Sequence, residues 1–320
     1  MCNLCDKSIY TLFGFINTDQ LVVCESITQL PNDLIGLISL DISNNKNITF
    51  IPSNLSSLEE LYCSNTNITY ISHELINLLV IDASNSLLSS IGPFKRLRSL
   101  NISNCKNFNY ISNELSGLRE LNINNTNISN LPDDLINLEI LLCKNSNIHS
   151  IPKLYTNLIS LDCSNTNISL LPNTFLNLQK LNCDDTLISK IPGTYLQLEE
   201  LYWSSKLKYK YDIPDTLINL RVLVLYNNYD HVYDQEYSIP DSLTNLIILN
   251  CENQNINSIP NTLIELIEIN CSNNKDLKEL PNELSKLKKI ICENTKIIVD
   301  NKDLLLLKCN ASQINNLTNI

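Results

Sequence analysis

Apolar residues recur along this chain on two interleaved periods. The short one has the form Leu138-x-x-Leu141-x-Cys143, in which alternate residues are apolar, the signature of a strand with one face turned inward. The long one restarts that segment fourteen times, at Leu37, Leu58, Leu78, Leu97, Leu118, Leu138, Leu158, Leu178, Leu198, Leu220, Leu246, Leu266, Leu287 and Leu304. Each unit of about twenty residues therefore predicts one short parallel strand. A unit this small cannot bury its own apolar side chains and must stack on its neighbours, so the pattern predicts a solenoid. It is expected over residues 21–320, in about fourteen repeats. Residues 1–20 precede it as an N-terminal cap, with Ile9, Tyr10, Leu12, Phe13, Phe15 and Ile16 over the first coil.

The polar positions predict the turns. Three residues after the inward Cys stands Thr66, Thr126, Thr166 or Thr186, or Ser86 or Ser146, or Asn45 or Asn274. Short hydroxyls and amides at the inner edge of a turn bond backbone groups of their own and the adjacent coil, which predicts an internal polar ladder. The preceding residue is usually Asn (Asn65, Asn85, Asn125, Asn145, Asn165), which tolerates the left-handed conformation and lets a chain with five glycines turn sharply. Three turns, ending at Ile48, Phe108 and Leu277, carry one extra residue without disturbing the strand register. Beyond the turn, Ile51-Pro52, Leu131-Pro132, Leu171-Pro172 and their counterparts leave no room for full α-helices. Short extended or 3-10 segments are expected there.

Composition narrows the function classes. A net charge of −11 without a basic cluster argues against nucleic acid or an anionic membrane as main partner, and suits a basic protein or peptide. Eight of twelve cysteines (Cys63, Cys143, Cys163, Cys183, Cys251, Cys271, Cys292, Cys309) share the inward strand position that Ile42, Ile102 and Ile123 fill elsewhere, so they read as small core hydrophobes. A column of thiols favours a reducing compartment, and Met1–Gln20 does not resemble a signal peptide. Cytoplasm is the expected location.

The wording Leu-x-x-Leu-x-Cys-x-x-Thr-x-Ile-x-x-Ile-Pro-x-x-Leu resembles the leucine-rich repeat family over most of the chain. The segments Cys63–Ile68 and Cys163–Ile168, with heavy use of Asn, Ile and Lys, further resemble the leucine-rich repeat proteins of mimivirus-type giant viruses. The resemblance implies an α/β-type leucine-rich repeat solenoid whose curved parallel β-sheet lines a concave face used for protein recognition. If the source is viral, the location becomes the host cytoplasm. Thr or Ser stands where the family most often has Asn.

Regularity fails in two consecutive units, with irregular insertions near 203–238. Seven of thirteen tyrosines and the single tryptophan lie between Tyr202 and Tyr237. Exposed aromatics supply contact area at small entropic cost, so Glu200, Tyr202, Val224, Tyr226, Tyr229, Tyr233 and Tyr237 are the expected partner-binding residues. Trp203 falls on the inward Cys position and is expected in the core. Cys2-x-x-Cys5 lacks two further ligands for zinc, and His73, His149 and His231 lie in distant units, so no metal, cofactor or catalytic residue is expected. The chain reads as a non-enzymatic intracellular scaffold or adaptor that binds a protein or peptide through the concave face and the tyrosine-rich edge. The alternative is an effector or adaptor that delivers host proteins to a ubiquitin ligase. Its last residues run through Ile314, Leu317 and Ile320 without a polar closing coil, which raises homodimerisation through that end.

Overall fold

The computed structural model describes residues 19–31, 34, 36–205, 212–226 and 238–297, and the backbone at 307–308. Residues 1–18 of the cap expected over 1–20 lie outside the described residues, as do Cys2, Cys5, Tyr209, Tyr211, Tyr229, Tyr233, Tyr237 and the residues after 308. The chain divides into two units, Met1–Leu158 and Ile159–Ile320.

The first unit contains β1 (Gln20–Val22), β2 (Ser39–Asp41), β3 (Glu60–Tyr62), β4 (Val80–Asp82), β5 (Ser99–Asn101), β6 (Glu120–Asn122) and β7 (Ile140–Leu142). Each pairs in parallel with the next, so that Leu40, Leu61, Ile81, Leu100, Leu121 and Leu141 stand side by side. In the second unit the strands are β8 (Ser160–Asp162), β9 (Lys180–Thr186), β10 (Glu200–Ser205), β11 (Val222–Leu225), β12 (Ile248–Asn250), β13 (Glu268–Asn270), β14 (Lys289–Ile291) and β15 (Leu307–Lys308), again parallel and in chain order. One strand per repeat, in an unbroken parallel ladder within each unit, is the β-solenoid that the two periods predict.

The inward positions form the core. Leu58, Leu61, Cys63, Ile68 and Ile71 in one turn, and Leu178, Leu181, Cys183, Ile188 and Ile191 in another, are at most 1% exposed. Between the Ile/Leu-Pro step and the next strand the chain makes two successive tight turns, as in Tyr195 N–H to Pro192 O (3.3 Å) and Leu198 N–H to Tyr195 O (3.0 Å). Among the described residues these turns do not lengthen into 3-10 helices. Two large side chains tie this segment to the preceding coil. The Tyr155 hydroxyl donates to Pro132 O at 2.6 Å and the Tyr195 hydroxyl to Pro172 O at 2.8 Å.

The turn asparagines adopt the left-handed conformation that their position predicts: φ is 56° at Asn65, 57° at Asn125 and 53° at Asn165. They also stack, with the Asn85 amide donating to Asn65 Oδ1 (3.1 Å) and that of Asn145 to Asn125 Oδ1 (2.7 Å). The polar ladder divides by chemistry. Threonine hydroxyls bond their own coil, as Thr66 Oγ1 to Cys63 O and Thr186 Oγ1 to Cys183 O. The longer amides of Asn45 and Asn274 also reach the coil before, donating to Cys24 O and Cys251 O respectively. These are two of the three turns with the extra residue, and in the third the Cys105 thiol makes the same reach to Ala83 O.

Trp203 replaces a Cys in the inward column and is fully buried, its indole N–H donating to Ile188 O at 3.1 Å. The Trp203→Ala variant is expected to lose roughly 4 kcal/mol of stability, from lost burial, the cavity left behind and an orphaned carbonyl. Trp203→Phe should lose about half of that. Urea unfolding followed by far-UV circular dichroism measures both, and a loss below about 1 kcal/mol for the alanine variant would contradict the core assignment.

Seven cysteines (Cys63, Cys105, Cys143, Cys163, Cys183, Cys251, Cys271) are free and buried. Cys292 is buried too, but it is disulfide-bonded, as is Cys24 near the first strand. The expectation that every inward cysteine is a reduced core hydrophobe is thus corrected at Cys292.

Candidate interaction surface

On the outward face of each strand the middle residue is usually Asp or Asn, and its work is local. Asp41 Oδ1 accepts from Ser43 N–H at 2.9 Å and Asp82 Oδ1 from Ser84 N–H at 2.9 Å. Asn101, Asn122, Asp162, Asn182, Asn250 and Asn270 each accept from the N–H two residues on in the same way. A side-chain oxygen that closes an Asx turn satisfies a donor that the strand end would leave unpaired. The polar column that looks like an acidic binding face is a column of turn caps.

Positions in that column without a capping residue stand out against it. Tyr202 on β10 and Val224 on β11 are adjacent in register, and Val222 and Ile248 extend them as the preceding outward residues of β11 and β12. Apolar and aromatic side chains on three neighbouring strands thus form a contiguous patch, whereas Tyr62, Leu142 and Ile291 hold the same column position on strands whose paired neighbours carry Asp or Asn there. Sequence reasoning singles out Tyr202 and Val224 but misses Val222 and Ile248, although the same alternation marks them.

The patch is partly closed over. Val224 is 8% exposed despite facing outward, Tyr202 is half-buried and Tyr226 is 36% exposed. Burial is the first cause raising the Tyr202 phenol above its ordinary value, with the Glu200 carboxylate adding to it. Burial likewise raises Tyr226, reinforced by the negative charges of Asp184 and Tyr202. Both rings remain neutral hydrogen-bond donors well into the alkaline range. Glu200 is held by Lys180 at 2.7 Å, so it borders the patch as half of an ion pair. Of the expected site residues, then, Glu200, Tyr202, Val224 and Tyr226 come together around β10 and β11. Tyr229, Tyr233 and Tyr237 lie outside the described residues.

β9 and β10 are longer than their neighbours, with a register shift between Trp203 and Ser205. The Ser204 hydroxyl explains the extension: it bonds the Asp184 carboxylate and accepts from Asp185 N–H at 2.7 Å. This stiffens the strand ends beside the patch.

Other candidate chemistry resolves into structure. The His73 ring bonds the Tyr70 hydroxyl at 3.0 Å. Among the described residues no group of three or more His, Cys, Asp or Glu side chains is placed to hold a metal, and no helix is long and apolar enough to cross a membrane.

No family model matches the chain, and no curated protein matches it in sequence. Solved structures do match in fold. The functional domain of InlJ from Listeria monocytogenes, which includes a cysteine ladder, superposes with a TM-score of 0.77 at 19% identity, over 90% of this chain and 65% of that one. This chain thus spans just under two thirds of that structure. A leucine-rich repeat protein of Leptospira interrogans gives 0.68 at 19% identity, over 90% of this chain and 93% of its own. YopM from Yersinia pestis, a leucine-rich effector protein, gives 0.69 at 24% identity, over 87% of this chain and 78% of its own. The protein has the leucine-rich repeat fold. The partner of the sequence resemblance that the comparisons do not reach is the giant-virus one.

Proposed function

We propose that this protein is a non-enzymatic interaction scaffold that binds a protein or peptide partner through the outward face of β10–β12 and the tyrosine-rich edge beside it. One observation carries the reading: Tyr202, Val222, Val224 and Ile248 run together across three adjacent strands of a face on which most strands carry a turn-capping Asp or Asn. Nothing in the solenoid requires apolar residues there, because turn capping at neighbouring strands is served by polar ones. Half-buried tyrosines beside a desolvated valine are the composition of a contact hot spot, which excludes water and presents phenolic donors at its rim.

The partner's chemistry follows from the same face. With the Asp column engaged in turn caps and Glu200 paired with Lys180, the patch selects for apolar and hydrogen-bonding groups more than for basic charge. The test is affinity purification from the native host with the full chain and its Tyr202→Ala/Tyr226→Ala variant as baits. The variant is expected to lose the captured partner at least about tenfold while its unfolding free energy changes by on the order of 1 kcal/mol. Equal capture by both baits would remove the proposal. The alternative, delivery of host proteins to a ubiquitin ligase, would show itself as ligase subunits in the same eluate.

A further inference from the structure

At the opposite, N-terminal edge of the strands in the second unit lies a groove of about 410 Å³, lined by Gln197, Glu199, Asn219, Arg221, Asn245 and Glu265 among others. Beside it, on consecutive turns, runs a ridge of exposed aliphatic residues: Leu176 at 56%, Leu196 at 50% and Ile218 at 52%. The amides are structural, since Asn219 and Asn245 donate to Leu196 O and Ile218 O of the preceding coil. The charges are different. Along this edge and the adjoining strands, Lys180 is paired with Glu200, Lys286 with Glu265 and Lys289 with Glu268. Glu199 and Arg221 stand on neighbouring turns, joined by the Arg221 N–H to Glu199 O bond of 2.8 Å, yet among the described residues their side chains form no ion pair or hydrogen bond. Lys180, which feels the Glu199 charge weakly, is committed to Glu200.

We propose that this edge is a self-association surface, occupied by a second copy of the chain. A carboxylate and a guanidinium left unpaired side by side form a self-complementary couple. Under a two-fold axis between them, Glu199 meets the partner's Arg221 while Arg221 meets the partner's Glu199, with the aliphatic ridges shielding the contact. The local charge favours this occupant over a basic protein. Although the chain as a whole carries −11, this edge is balanced in sign, so it attracts a surface of matching alternation rather than one of net positive charge. The ridge and groove span five coils at about 4.8 Å each, a contact smaller than a standard interface, so the dimer is weak and concentration-dependent. This surface is distinct from the tyrosine patch and does not rest on the function proposed above.

Charge reversal tests it. Sedimentation equilibrium of the full chain, over about three decades of concentration up to the millimolar range, should show the mass rising from 36.3 kDa toward twice that value. Glu199→Arg and Arg221→Glu should each weaken association at least about tenfold when alone. An equimolar mixture of the two should associate again, because one copy then presents two cations and the other two anions. Ile218→Asp, on the ridge, should weaken association without altering the melting transition, which keeps the proposal testable if a charge reversal disturbs folding. A wild-type mass that stays monomeric, an association that both reversals leave unchanged, or two monomeric reversals that fail to associate when mixed would each overturn it.

Discussion

Raising the pH above about 9 is expected to destabilise the second unit, Ile159–Ile320, steeply. Burial is the leading cause that pushes the Cys63, Cys163, Cys183, Cys251 and Cys271 thiols up from their ordinary 9.0, and for Cys271 the result is about 12. Negative charge adds to burial at Cys183, next to Cys163, and at Cys251, next to Cys271. The sign follows from proton binding. Below 9 both folded and unfolded chains hold the thiol proton and there is no effect. Above 9 the unfolded chain releases it while the folded chain keeps it, so stability falls as pH rises, until each thiol reaches its folded value.

The size of the effect comes from the number of thiols. Each contributes about 1.4 kcal/mol per pH unit, and Cys163, Cys183, Cys251 and Cys271 all lie in the second unit, so its stability drops by roughly 6 kcal/mol per unit. That rivals the total stability of a typical domain, of about 5–15 kcal/mol, and places unfolding within about two units of pH 9. Tyr195, raised by burial, adds to the loss above its ordinary 10.0, as Tyr155 does in the first unit. Far-UV circular dichroism against pH, with a thiol reagent reporting exposure, measures the transition. The Cys183→Ala/Cys251→Ala variant should halve the steepness of the loss. A native spectrum retained to pH 12, or a slope indifferent to the two thiols, would show that burial of the column is not what governs alkaline stability.

Much of this architecture is legible along the chain because its causes are local. The left-handed Asn65 and Asn125, the own-coil bonds of Thr66 and Thr186 and the inward Trp203 each follow from the identity and phase of one residue. What escapes the sequence depends on the next coil. Asn77, Asn137, Asn157, Asn219 and Asn245, each just before a strand's opening leucine, donate to carbonyls 21 to 27 residues earlier. Asn47, Asn67 and Asn127 form a third such column on the far side of the turn. The heavy use of Asn therefore has a structural cause, which no single unit reveals. The acidic outward face misleads for a related reason. Asp41 and Asp162 are free carboxylates in a list of residues but turn caps once the strand end exposes an N–H two positions away. The apolar patch becomes visible only after that polar background has been explained.

The Asn274→Ala variant is expected to be among the most damaging single substitutions in the chain, although the residue removed is small and polar. Asn274 is fully buried. Its amide donates to Cys251 O at 2.9 Å and Cys271 O at 2.8 Å, and its carbonyl oxygen accepts from Gln254 N–H at 3.2 Å and Ile256 N–H at 2.9 Å. With a further, longer bond from the amide to Ser272 O at 3.3 Å, one side chain thus serves five backbone groups on two successive coils. Truncation leaves them buried without partners at about 1–3 kcal/mol each, and partial relaxation brings the sum to roughly 5 kcal/mol. Asn274→Leu should fare no better, since filling the volume restores none of the bonds. Asn274→Asp keeps the acceptor but sets a carboxylate against two carbonyl oxygens, so it too should destabilise strongly. Thr186→Ala is the comparison, because that hydroxyl serves only its own coil and its loss should cost about 1 kcal/mol. Urea unfolding of both variants decides the matter: if Asn274→Ala loses no more than Thr186→Ala, coil-to-coil bridging by buried amides does not hold this part of the solenoid together, and stacking of the apolar columns alone suffices.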